Sequence, residues 1–503
     1  MQPSPLPVRT HRALADEATF QDLVAERLRQ APWLVLSALA HALMLLVLWV
    51  MLPGEERKPP LAAVAVALEQ PKDVVVPPPP PPPVQQPEVD PEVVPIVDRA
   101  VATESSDAFD PIADSSDTTP SAFESTQWNQ AVGVGGGAAG PYGNRGPGPG
   151  GRGGPGGVPQ VKAGLAWLAA HQDDDGRWDA DGFMKHDDPR TPQCGGPGNP
   201  VHDVGVTGLA LLAFLGDGNS LRSGPYRDVV RRGALWLRAQ QQDDGRFGGA
   251  ASSDFVYDHA IAAYAMCEAY GLSDYKTLKD CAQQGLAYLE THRNPYGVWR
   301  YQPRDNDNDL SVTGWCVMAY ESGKFFGLAV NDAALQNAAV FLDQVSDATG
   351  LHGYTRAGER SSRKPGDHAV RFPVEKGQAL TAVGLFCRFF LGQRPDEKPV
   401  MKAAAKLIAA APPQWDEHGT IDHYYWYYAT YALFQMGGPQ WRTWQQQLAR
   451  AVGDHQHRSD AAPNLRGSWD PVGAWGEDGG RVYSTAILTL TMQANYRYTR
   501  LIR

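Results

Sequence analysis

Three aspartates alternate with asparagine in the run Asp305-Asn-Asp307-Asn-Asp309, which leads straight into the apolar stretch Leu310-Ser-Val-Thr-Gly-Trp315. Carboxyl groups this close do acid chemistry when burial and mutual charge drive their pKa values apart, leaving one protonated and ready to donate. Asp307 and Asp309 are the candidate catalytic pair on that ground. The same positions have a structural use. Asp203, Asp258 and Asp309 each stand four residues ahead of Thr207, Ala262 and Thr313 in three comparable apolar runs. An acid at a helix start accepts hydrogen bonds from the first free N–H groups. Recurrence at one register favours the cap over the acid.

A second group is aromatic. Tyr424-Tyr425-Trp426-Tyr427-Tyr428 with Tyr431 puts rings on most faces of one segment, and Tyr264, Trp315, Phe386 and Tyr483 lie in others like it. Rings around a cavity attract a cation or bury an apolar chain; packed on one another they are core. The expected ligand-cavity set is Tyr264, Trp315, Phe386, Tyr424, Trp426, Tyr427, Tyr431 and Tyr483. No metal site and no cofactor is expected. Cys267, Cys316 and Cys387 fall inside apolar runs, where thiols behave as small buried hydrophobes. Cys194 and Cys281 lie apart from them, and no CxxC occurs. Asp173-Asp-Asp175 precedes Gly176 as Asp243-Asp244 precedes Gly245, which reads as a recurring turn.

The elements that must position these residues come from repeats. Trp167, Trp236, Tyr288 and Phe341 are each followed nine residues later by glycine, at 176, 245, 297 and 350. In the first three an aromatic follows two residues further on, at Trp178, Phe247 and Trp299. Gln172 and Gln241 share a position that Arg293 takes in the third copy; Gln456 with Gly467-Ser-Trp469 forms a last one, and the copy between 401 and 419 is degenerate. Between the copies lie apolar runs at 204–215, 260–270, 310–326, 379–391, 426–436 and 483–492. Each unit is an amphipathic outer helix, a glycine turn and an inner helix apolar on all sides, which must be buried. Six such hairpins close into a ring and so need no capped ends.

The pattern Lys-Ala…Trp-Leu-x-x-x-Gln…Gly-x-Trp at 162–178 resembles the QW repeat of squalene and oxidosqualene cyclases. The six hairpins are similar to the (α/α)6 toroid those cyclases share with protein prenyltransferase β subunits. The resemblance covers 161–503 and implies an all-α toroid with an isoprenoid-binding central cavity. In the cyclases an Asp-x-Asp-Asp motif protonates the alkene. Here Asp307-Asn308-Asp309 is followed by Leu310, so the motif is incomplete, and only one of the two cyclase barrels is present. The Asp-x-Cys zinc pair of the prenyltransferases is absent. Binding of an isoprenoid-type ligand therefore ranks above turnover, and a non-enzymatic envelope interaction or scaffold role is the alternative.

The rest of the 503 residues frames that domain. Net charge is −11 without basic runs, which argues against nucleic acid as a partner. Residues 33–52 form a charge-free apolar run long enough to cross a bilayer, after a short cytoplasmic tail at 1–32. Residues 53–160 hold seven consecutive prolines at 77–83, an acidic stretch and a Gly-rich stretch, which together predict a disordered spacer. A single-pass inner-membrane protein with a periplasmic toroid is expected. His41 is ionisable at membrane depth, a functional hypothesis by default. Ser37-x-x-x-His41 followed by a Pro-rich segment resembles the anchor of TonB-type transducers, which implies coupling through Ser37 and His41 to an ExbB/ExbD-like motor.

Overall fold

The computed structural model describes residues 158–501, apart from 362, 365, 417 and 499. The candidate span at 33–52, the spacer, Ser37 and His41 lie outside the described residues; among those described, no helix is long and apolar enough to cross a membrane.

Among the described residues, twelve helices of eleven residues or more follow as six hairpins. They are α1 (Val158–Ala170) with α2 (Asp203–Gly216), α3 (Arg227–Ala239) with α4 (Phe255–Ser273), and α5 (Lys276–His292) with α6 (Leu310–Phe325). Then come α7 (Asp332–Gln344) with α8 (Ala379–Phe390), α9 (Pro399–Ala409) with α10 (His423–Met436), and α11 (Gly438–Leu448) with α12 (Gly476–Met492). No strand occurs among the described residues; two isolated bridges, Gln241–Phe247 and Ser346–His352, recur at one repeat position.

The layers follow from side-chain periodicity. α3 buries Val230, Gly233, Ala234 and Leu237, and α9 buries Met401, Ala404, Ala405 and Ile408, a single stripe at i, i+3, i+4 and i+7. Every residue of α2 is buried. The even-numbered helices form the inner layer, each packed on the next, and α12 returns to pack on α2. The ring is closed.

The repeat residues join neighbouring units. Gln172 donates to the carbonyls of Gly176 in its own turn and Val229 of α3, both at 3.0 Å. Gln241 does the same with Gly245 and Cys281 of α5. Gln456 bonds Gly467 and Gln160 of α1, which carries the pattern across the seam. Gly176 and Gly467 have φ of 100° and 98°. A Cβ at either would clash with a backbone carbonyl of the next outer helix, Arg232 or Ala163. In the third copy Arg293 bonds Glu290, Asn294 and Gly297 instead, so that turn braces itself. Inner-helix threonines hold the turns: Thr207 accepts from Trp178 N at 3.0 Å, and Thr381 from His352 N at 3.3 Å.

Of the acids aligned as caps, Asp309 fits, accepting from Val312 N at 2.8 Å. Asp422 does likewise for Tyr425 N at 3.0 Å. Asp203 and Asp258 do not. α4 starts three residues ahead of Asp258 because Phe255 and Val256 are buried and extend the helix. Asp203 is the first residue of α2 and accepts from Ala180 N and Arg177 instead.

Candidate functional site

The starts of five inner helices converge at one end of the ring around a cavity of about 190 Å³. Three of them, α2, α4 and α6, contribute a polar residue near their start and an apolar one deeper in. His202 leads into α2, whose Val206 and Leu209 follow; Tyr257 and Asp258 of α4 stand above Ile261; Ser311 of α6 stands above Trp315. Seven residues of helix separate His202 from Leu209, a depth of about 10 Å. Tyr424, Tyr483 and Trp475 complete the wall, and Asp254, Lys364 and Asp478 the rim.

The rim is electrostatically organised. His202 Nδ1 lies 3.1 Å from Asp258 Oδ2. Gly205 makes this approach possible, since a Cβ there would strike the Asp258 carboxylate. Burial opposes charge on His202, yet Asp258, Asp254 and Asp478 outweigh it and hold the imidazole above its ordinary value. Burial also raises Asp258, with His202 pulling it back. The pair therefore keeps a proton to higher pH than a free imidazole would.

Behind the wall lies Asp309, fully buried. Burial pushes its carboxyl up to about 7, against the opposing pull of Val312 N–H, Arg300 and Tyr354. Tyr354 Oη stands 3.4 Å from Asp309 Oδ2 and 2.6 Å from Tyr301 Oη. Tyr301 faces the cavity. A carboxyl protonated near neutrality is thus linked through two phenols to the cavity wall. Asp309 is a cap whose buried carboxyl is held well above the usual carboxylate range.

Asp307 belongs to neither role. Its carboxylate is 68% exposed and pairs with Arg300 at 3.0 Å, on the outside of the turn. Asp307 stays in the turn, its N–H donating to Asp305 Oδ1 at 3.0 Å, whereas Asp309 stands at the helix start and caps it.

The expected aromatic lining divides. Trp315, Tyr424 and Tyr483 face the cavity. Tyr264, Phe386, Trp426, Tyr427 and Tyr431 do not line it; they are buried in the core. Trp315 stacks on Tyr427, with centroids 5.8 Å apart, where the lining passes into core. Beyond it the bore is filled from the C-terminal side. Tyr498 packs on Phe386 and Tyr431 and meets the Tyr264 hydroxyl. Arg497, with no exposed surface, pairs with the equally buried Glu268 at 2.9 Å and donates to the Leu212 carbonyl.

The connection between α7 and α8 crosses the open end. Arg363 forms a buried ion pair with Asp422 at 3.0 Å. Lys364 pairs with Asp478, Arg371 with Glu477, and His368 bonds the Ala474 carbonyl at 2.6 Å. These ties hold this strap against the start of α12.

His202, Tyr257, Tyr301, Lys364, Trp475 and Asp478 carry no motif. His202 and Tyr257 had one usable signal: each directly precedes an aligned aspartate, so both stand at one register of the repeat.

No family model matches this sequence, and no curated protein matches it. Among solved structures, the GH76A α-1,6-mannanase from Salegentibacter sp. HEL1_6 aligns at 11% identity over 67% of this chain and 98% of its own, with a TM-score of 0.46. The type II terpene cyclase MstE from Scytonema aligns at 15% identity over 67% and 97%, with a TM-score of 0.43. An unsaturated glucuronyl hydrolase specific for heparin aligns at 15% over 67% and 96%, with a TM-score of 0.47. The toroid itself stands on the ring of inner-helix contacts and on its closure from α12 to α2.

Proposed function

We propose that the toroid binds an amphiphilic ligand of isoprenoid type, its apolar chain against Val206, Leu209, Ile261 and Trp315 and its polar end at His202, Asp258 and Lys364. The observation that supports this reading is the graded wall, charged at the rim and apolar at depth, above a bore closed by aromatic side chains. Burial of an apolar chain against that wall contributes roughly 25 cal/mol per Å². Asp309 with Tyr354 and Tyr301 gives the same site a route for a proton.

The test uses the full chain in detergent and a fluorescent farnesol analogue. Leu209→Trp fills the cavity and should weaken binding by roughly tenfold or more at unchanged melting temperature. Equal affinity in wild type and variant would sink the reading. Saturable binding of an oligosaccharide in place of the farnesol analogue would hand the site to a polar ligand.

We further propose that the chain sits in the inner membrane through residues 33–52, with the toroid on the periplasmic side. A second reading treats the toroid as an envelope interaction domain driven by an ExbB/ExbD-like motor; it is supported by the Ser37 and His41 spacing. Replacing His41 with Ala should abolish function in cells, and unaltered function would remove the motor.

A further inference from the structure

Outside the ring's bore, at the seam between the first and last units, His171, Asp187 and Cys194 bring their ligating atoms within 4.8 Å of one another. All three residues are buried. None lines the cavity, so nothing in this subsection depends on the ligand proposed for it.

Three features of the cluster call for a cation. First, His171 Nδ1 lies 2.8 Å from the Trp167 carbonyl, an acceptor only, so Nδ1 carries the ring proton. The other nitrogen, Nε2, then presents a lone pair to Asp187 Oδ1 at 3.1 Å. Two electron-rich atoms at that separation repel unless a proton or a metal lies between them. A backbone carbonyl that fixes the tautomer of a ligating histidine is the usual outer support of such a site. Second, the Asp187 side chain has no exposed surface, and its one ion-pair partner among the described residues is that same imidazole. A buried carboxylate is costly unless paired, and a metal would add a positive partner beside that imidazole. Third, Asp187 is already oriented, its Oδ2 accepting from Cys194 N at 2.5 Å, and Cys194 Sγ stands beside the Asn464 carbonyl at 3.0 Å.

From these contacts we infer that His171 Nε2, Asp187 Oδ1 and Cys194 Sγ form a zinc site that clasps the ring shut. One nitrogen, one oxygen and one sulfur suit zinc, whose bonds to them run about 2.0–2.3 Å. Coordination replaces the thiol's hydrogen bond to the Asn464 carbonyl, releases its proton to solvent and leaves the fourth tetrahedral position to a water. Asn464 sets the role. Its side chain bonds Asp188 and Thr191 in the first unit, while its carbonyl receives Trp167 Nε1 and, until a metal binds, the Cys194 thiol. A metal here fastens the loop at 187–194 and the C-terminal end of α1 beside the turn at 463–465. The stacked rings of Trp167 and His171, with Phe183 edge-on to both, flank it on one side. The site differs from the Asp-x-Cys pair of the prenyltransferases: its Asp and Cys are seven residues apart and lie outside the bore.

The test is made on the full chain in detergent. Metal analysis after growth with added zinc should give about one zinc per chain. Replacement by Co²⁺ should give tetrahedral visible bands and a thiolate-to-cobalt charge-transfer band. Cys194→Ser should lose the charge-transfer band, Asp187→Asn should weaken cobalt binding at least tenfold, and Cys281→Ser should change neither. Chelation should lower the melting temperature of wild type and leave that of Cys194→Ser unmoved. Sub-stoichiometric zinc together with no cobalt spectrum in the wild-type protein would overturn the site. A charge-transfer band that survives in Cys194→Ser but vanishes in Cys281→Ser would also overturn it.

Discussion

At the end of the ring where the inner helices begin, acids cap or flank the helix starts and a cavity stays open. At the end where they finish, Arg497 and Tyr498 fill the bore. Both ends satisfy the same electrostatics. Carboxylates stand near the positive ends of helix dipoles, and at the far end a guanidinium meets the Leu212 carbonyl near the finish of α2. They differ in what closes them. The far end is sealed by residues with no exposed surface, continuous with the core. The near end is crossed by the strap, whose ties include the half-exposed Lys364 beside the buried Arg363. The closed end thus continues the core, and the other end keeps a cavity.

The largest effect that would break this contrast is at the plug. Arg497→Met removes the guanidinium that pairs with the buried Glu268 and should cost ~3–5 kcal/mol, read by chemical denaturation. A loss below 1 kcal/mol would mean the plug is not where stability resides.

A smaller effect tests the seams between units. Gly176→Ala imposes both a left-handed conformation and a clash with the Arg232 carbonyl. It should cost more than Gly392→Ala, where φ is 73° and no atom lies within 4 Å of the added carbon. The second change carries only the conformational cost of ~1–2 kcal/mol. Equal losses in denaturation would show that the turn glycines do not join the units.

At the open end, Asp309 predicts a pH dependence. Its folded value, about 7, lies above the unfolded value near 3.9. Its contribution is therefore fully present below about pH 4 and is lost as pH rises through 7. Asp309→Asn should flatten the stability profile across that window relative to wild type. Parallel profiles would show that the carboxyl is ionised throughout. The smallest expected effect is at Asp307→Asn, which should change stability by less than about 0.5 kcal/mol and leave ligand affinity unaltered.

The repeats made the ring legible because a glycine nine residues after an aromatic is a local rule, and the same bonds recur wherever it does. The six apolar runs mark the inner helices, although α4 and α10 begin several residues before their runs, and Gly480, at φ 66°, kinks α12 just before its own. Phe255 and His423 start α4 and α10 on packing that periodicity does not report. The cavity was half legible. Trp315, Tyr424 and Tyr483 face it, while Tyr427 and Tyr431, on the same helix as Tyr424, turn into the core; composition cannot tell one face of an all-aromatic helix from another. Arg497 and Tyr498 gave no signal, since their partners Glu268 and Phe386 are more than a hundred residues away. Lys364 reaches the rim only because a connection between repeats folds back over it.

Ring closure has a mechanical consequence. α1 is the first element after residues 1–157, and it is also the helix that the last unit grips through Gln456 and Gly467. Any pull on the preceding chain is therefore delivered to the seam of the ring and not to its interior. Gln456, Gly467 and the cluster around Asn464 share that load, so tension would first peel α1 from α12 and open the toroid like a bracelet at its clasp.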